Sequence, residues 1–93
     1  MAIPEHMQTA IDNWVEYGTP APSEMGSFLR AVLSNDLRAS VMFADEANRA
    51  AIVDWVEYLY MKVPSGAHGS AARLAEWHRL GGRVGRHPIE GAA

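Results

Sequence analysis

DEANRAAIVDWVEYLYMKV, residues 45–63, carries the chain's most sustained helical pattern. Ile52, Trp55, Val56, Leu59 and Val63 recur at intervals of three and four, the period of one apolar face of an α-helix, and the run does not alternate as a strand would. Asp45 suits the N-cap, where its carboxylate accepts from first-turn N–H groups, and Glu46 follows where the positive end of the helix dipole favours an acid. The spacing therefore predicts one long helix from Asp45 to about Lys62, the longest in the chain. Its run from Ile52 to Met61 is apolar enough for the flanking Val53 and Tyr60 to meet a second surface.

The same period extends outward in both directions. Toward the N-terminus, Pro4 suits a first helical position, and Met7, Ala10, Ile11, Trp14 and Val15 mark one apolar face of a helix that Gly18 ends. Thr19-Pro20-Ala21-Pro22-Ser23 reads as a loop, because two prolines in three residues cannot continue a helix. A second helix is expected to start between Ser23 and Ser27 with Phe28, Leu29, Val32 and Leu33 on its buried face. Asn35 either closes it or caps the next turn. A short third helix from Asp36 to about Phe43 would bury Leu37, Val41 and Met42. Toward the C-terminus, Pro64 to Gly69 is a loop and Ser70 an N-cap candidate. The last helix then carries Leu74 and Trp77 and stops at Gly81-Gly82. These readings give an all-α fold, a compact bundle of about five helices in one domain over residues 1–82, with residues 83–93 as a flexible basic tail.

Composition agrees with this and removes much chemistry. A chain of 93 residues, 48% hydrophobic and 20% charged, has room for one core. It has no apolar run long enough to span a membrane, and its start lacks the basic and apolar segments of a secretory signal, so a cytoplasmic location is expected. The absence of cysteine excludes disulfides, thiol nucleophiles and thiolate metal sites. Charge is uneven: residues 1–61 carry nine acids against Arg30, Arg38 and Arg49, whereas residues 62–93 carry Lys62, Arg73, Arg79, Arg83 and Arg86 against Glu76 and Glu90. The net charge of -3 argues against general nucleic-acid binding, whose affinity comes from neutralising phosphates.

One internal echo is more specific than periodicity. Trp14-Val15-Glu16-Tyr17 recurs as Trp55-Val56-Glu57-Tyr58, each with an isoleucine three residues earlier, and each is followed by a Pro-Ser and then a Gly-Ser that opens a helix. The echo suggests two pseudo-repeated helix-loop-helix units joined by the third helix. The general likeness of aromatic-rich amphipathic helices accounts for it as well.

Candidate chemistry is sparse. His6, His68, His78 and His87 never pair at helical spacing, so no metal site is expected. No serine lies in a Gly-x-Ser-x-Gly turn. The carboxylate pairs Asp12 with Glu16 and Asp54 with Glu57 fit solvated helix faces as well as an acid-base site. The run Gly81-Gly82-Arg83-Val84-Gly85-Arg86-His87 has glycines and arginines suited to phosphate but no helix after it. The six large rings Trp14, Tyr17, Trp55, Tyr58, Tyr60 and Trp77 suit a core or a partner anchor.

The pattern Gly26-Ser27-Phe28-Leu29-x-Ala31-Val32-Leu33-x-Asn35-Asp36-Leu37, then Ala44-Asp45-x-x-Asn48-Arg49, then Val56-x-Tyr58-x-Tyr60 with Pro64 and Gly69-Ser70, resembles a group of small helical proteins encoded by bacteriophages and prophages. The resemblance runs from about Ile11 to Trp77 and departs from the group at Met61 and His68. It implies a genomic setting rather than a reaction: a stoichiometric, non-enzymatic accessory protein, without cofactor, that neutralises a host defence protein or complex in the host cytoplasm. An alternative is a homo-oligomeric sponge that sequesters a nucleotide signal, with Arg38, Arg49 and Tyr58 or Tyr60 at a subunit boundary. Another is a phage structural or assembly subunit. The candidate ligand- or partner-binding residues are Asn35, Asp36, Arg38, Asp45, Asn48, Arg49, Tyr58 and Tyr60. Several of these fall at helix ends, where capping is the competing explanation. Asp36 and Asp45 lie roughly 13 Å apart along a helix at 1.5 Å per residue, so sharing one site would require the chain to fold back or a second copy to contribute.

Overall fold

The computed structural model describes residues 3–85, and within them every regular element is helical. Six α-helices lie wholly within them, α1 (Glu5–Tyr17), α2 (Ser27–Leu33), α3 (Leu37–Phe43), α4 (Glu46–Ala50), α5 (Ile52–Lys62) and α6 (Ala71–Arg79), and residues 82–85 are helical as well. Short 3-10 turns at Pro22–Glu24 and Ser65–Ala67 join α1 to α2 and α5 to α6. Both halves of the sequence echo thus fold as helix, 3-10 turn, helix.

The core forms where the periodicity places it. Ile11 and Trp14 of α1, Phe28, Leu29, Val32 and Leu33 of α2, Trp55 and Leu59 of α5, and Leu74 and Trp77 of α6 are all buried together. The indole of Trp55 meets the Phe28 ring edge to face, with centroids 5.5 Å apart. Each tryptophan N–H has a partner, which removes the cost of burying a donor. Trp14 Nε1 donates to the Ala67 carbonyl at 2.8 Å, Trp77 Nε1 to the Trp14 carbonyl at 2.8 Å, and Trp55 Nε1 to Asn48 Oδ1 at 2.9 Å.

Helix ends are closed by the residues that the sequence marks for that work. Asn35 adopts a left-handed φ of 65°, and the N–H groups of Asn35 and Asp36 return to the carbonyls of Val32 and Ala31, the paired closure of a Schellman motif. Asp36 at once caps α3 through Ala39 N–H, so two adjacent residues turn the chain into a tight α2–α3 hairpin. Asp45 caps α4 and Ser70 caps α6.

Three expectations are corrected. Leu37 and Met42 are 73% and 69% exposed, and Val41 is also exposed. The buried residue of α3 is Ser40, whose hydroxyl donates to the Asp36 carbonyl at 2.6 Å, and the helix, packed along α2, turns its large residues outward. Nor is residues 46–62 one helix. The chain departs from helical geometry at Ala51, φ −99° and ψ 16°, between the two partners of the Asn48–Trp55 hydrogen bond, so α1, with 13 residues, is the longest helix. Val56, expected on the buried face with Trp55 and Leu59, is 59% exposed, because at 100° per residue it lies about 60° round the helix from Leu59 and about 100° from Trp55, and Val53 and Tyr60 beside it meet no second surface within the described residues.

The C-terminal glycines serve packing. Gly18 and Gly82 both have left-handed φ and approach each other backbone to backbone: a Cβ on Gly82 would lie 2.5 Å from Gly18 N and 2.6 Å from the Glu16 carbonyl. Beside this contact the His78 ring, through Nδ1, meets the Gly18 carbonyl at 2.7 Å, and Arg83 pairs with Glu16. Of the tail expected over residues 83–93, residues 83–85 are instead helical, in a segment that opens at residue 82 and is joined by the Gly85 N–H to the Gly81 carbonyl at 3.0 Å, and residues 86–93 lie outside the described residues.

Gly82→Ala should therefore add a backbone clash to left-handed strain of about 1–3 kcal/mol. At roughly 4–8 °C per kcal/mol for a domain this size, the expected fall in Tm is about 8 °C or more. Gly26→Ala, where a Cβ meets nothing within 4 Å, should change Tm by no more than about half of that. Thermal melts by circular dichroism check both.

Candidate binding site

Two concavities lie at opposite ends of the α2–α3 hairpin. At the end where α2 begins and α3 finishes, a groove of about 420 Å³ is lined by His6, Met7 and Ala10 of α1, by Gly26 to Leu29, by Phe43, and by Asp45 and Asn48. Its lining is mostly apolar, and its two ionisable groups form a pair, His6 Nε2 to Asp45 Oδ2, at 3.3 Å. Asp45 Oδ1 also accepts the Asn48 backbone N–H at 2.7 Å. That N–H is the main reason the Asp45 carboxyl titrates below its ordinary value of 3.8, with the charge and hydrogen bond of His6 adding to it. Asn48 passes the connection inward, since the same side chain accepts from the buried Trp55 indole. The groove's rim is thereby tied to the core.

At the other end, a cleft of about 280 Å³ is bounded by Val32 and Asn35, by Leu37, by Val56, Leu59 and Tyr60 of α5, and by His68 and Gly69. The Gly69 N–H donates to the Leu33 carbonyl at 2.7 Å and fixes the entry to α6 against the end of α2. Burial holds the His68 ring below its usual 6.5, the charge of Arg73 adds to this, and the backbone carbonyls of Val63 and Leu59 oppose it. His68 therefore presents a neutral ring to the cleft at pH 7.

Of the eight sequence candidates, Asp45 and Asn48 line the groove, Asn35 and Tyr60 line the cleft, and Asp36, Arg38, Arg49 and Tyr58 line neither. Asn35 ends α2, Asp36 and Asp45 cap α3 and α4, and Asn48 is buried against Trp55. Arg49 donates from Nη2 to the Val41 carbonyl at 3.3 Å, across the join of α3 and α4, and the Tyr58 hydroxyl accepts from Gln8 Nε2 at 2.9 Å, across α1 and α5. Arg38 is exposed, and Tyr60 lines the cleft. Asp45 and Asn48 share the groove, Asn35 and Tyr60 share the cleft, and Asp36 and Asp45 belong to successive caps. The sequence reading missed Met7, Phe28 and Phe43 as groove residues and His6 as the partner of Asp45, a contact between positions 39 residues apart that no local spacing announces. Among the described residues no group of three or more His, Asp or Glu side chains is placed to hold a metal ion, and no helix is long and apolar enough to cross a membrane.

Both pKa shifts depress the folded-state value, so each group contributes stability that is present above its unfolded pKa and lost as pH falls through the folded one. For His68 the loss begins below about 6.5, and for Asp45 below about 3.8. Urea midpoints should fall from pH 7 to pH 5, and His68→Asn should flatten that slope; an unchanged slope refutes the assignment to His68. Asn48→Ala leaves the buried Trp55 N–H unpartnered and should cost about 2 kcal/mol. In a Trp55→Phe background that cost should shrink by about 1 kcal/mol, as measured by a double-mutant cycle.

Comparison of the chain with protein-family models, with curated proteins and with solved structures finds no match.

Proposed function

We propose that the protein is a non-enzymatic, phage-type accessory protein that binds and neutralises a host defence protein, and that the groove between α1, α2 and α4 is where it does so. The observation that carries this reading is the groove's composition. Phe28, Phe43, Met7, Ala10 and Leu29 offer apolar area around a single carboxylate, Asp45, that stays ionised well into the acid range. Exposed Glu5 and Glu46 adjoin His6 and Asp45 in sequence and extend the negative rim. Such a site suits a protein segment with an apolar anchor flanked by basic side chains: the apolar contact supplies affinity, and the acidic rim steers encounter and selects the partner. An acidic inhibitor of this kind would occupy a surface its target otherwise uses for nucleic acid.

The test is phage plating on cells that carry a defence system, with and without the protein expressed. Wild type should restore plaque formation by a defence-sensitive phage. Phe43→Glu, at an exposed position on the groove wall, should reduce the restoration by about tenfold or more, the effect of about 1.4 kcal/mol in affinity, with an unchanged circular dichroism melt. Equal restoration by the variant would remove the groove from the mechanism.

A further inference from the structure

The two oxygens of the groove's carboxylate are engaged unequally. Asp45 Oδ1 accepts the Asn48 backbone N–H at 2.7 Å, the bond that caps α4. Oδ2 faces His6 Nε2 at 3.3 Å, whereas a charge-assisted N–H···O contact closes to about 2.7–2.9 Å. The His6 and Asp45 side chains are 55% and 56% exposed, and pairs open to water to this degree hold weakly. Oδ1 is thus committed to the fold, and Oδ2 is held by a side chain that a better donor can displace.

The surroundings narrow the kind of donor. No lysine or arginine among the described residues lines the groove, so Asp45 has no stronger cation there than His6. Phe43, two residues before Asp45 in the chain, lines the same groove and is 59% exposed. A lysine ammonium is compact and strongly hydrated. A guanidinium is planar and more weakly hydrated, and it can lie on an aromatic ring while directing N–H groups at an oxygen in its own plane. One available carboxylate oxygen beside an exposed ring suits the guanidinium.

We infer that the groove takes an arginine side chain of its partner, which replaces His6 at Asp45 Oδ2 and lies against Phe43, with an apolar residue of the same segment on Met7, Phe28 and Leu29. This rests on the reading of the groove as the partner site and names the group that the groove selects. Asp45 determines the specificity, and because it titrates below its ordinary value it keeps its charge across the neutral range. His6 is a placeholder that occupies Oδ2 in the free protein and competes with the incoming guanidinium.

NMR titration of the isotope-labelled full chain tests this, with a capped dipeptide of phenylalanine and arginine, and with its lysine and citrulline analogues, each up to about 10 mM. The arginine peptide should shift the amides of Phe43 and Asp45. It should bind about threefold or more tighter than the lysine peptide, and about tenfold or more tighter than the citrulline peptide, its uncharged isostere. In Asp45→Asn, which keeps a side chain able to cap α4, the arginine and citrulline peptides should bind alike. His6→Ala should tighten the arginine peptide by about twofold to threefold. No shift with the arginine peptide, equal binding of the lysine or citrulline peptide to wild type, a preference that survives Asp45→Asn, or no gain from His6→Ala overturns the inference. The result is separable from that of phage plating. An arginine preference without restored plaques removes the defence role alone, and restored plaques without the preference remove the arginine alone.

Discussion

The carbonyl of Trp14 ties the first helix of the bundle to the last. It belongs to the last turn of α1, where helix carbonyls lose their intrahelical partners, and it receives both the Gly18 N–H that closes the helix and the indole of Trp77 from α6. The ring of the same Trp14 reaches the other way and donates to Ala67 in the turn before α6. One residue therefore fastens the first helix to both ends of the last segment. The glycine contact beside it lets the two backbones approach closely enough for these bonds to form. A chain this short has little apolar area to spare, so placing every indole N–H on an acceptor while the ring is buried is what makes a three-tryptophan core tolerable.

Legibility followed the range of the interactions. The faces of α1, α2 and α6 and the caps at Asp36, Asp45 and Ser70 were readable because each depends on residues within one or two turns of itself. The outward turn of Leu37 and Met42 was not, because periodicity marks an apolar face, while the face that α3 buries is the one that carries Ser40. The break at Ala51 was hidden for a related reason: alanine is a strong helix former, and the constraint comes from the buried Asn48–Trp55 pair on either side of it. The candidate site was legible only in pieces. Asp45 and Asn48 stood out as polar residues in a recurring pattern, but the phenylalanines that share their groove come from two other helices, and His6 comes from a third.

The polar motif around Asn35 to Arg49 is where function and architecture compete for the same atoms. Most of its members are engaged: a left-handed turn, two caps, a buried amide and a guanidinium on a carbonyl. What they build is the α2–α3 hairpin and its junction with α4, which hold the groove and the cleft at fixed separation. A motif of this kind conveys shape to a partner through the apolar residues it positions.

The burial of all three indoles has a spectroscopic corollary. Trp14, Trp55 and Trp77 are screened from water and hydrogen-bonded inside the core, whereas Tyr17 and Tyr60 face outward. Tryptophan emission from this protein is a gauge of the core alone, blue-shifted while the bundle is intact and moving to the red when it opens. Events at the surface speak through the tyrosines instead. The molecule thus carries two separate optical channels, one for folding and one for contact.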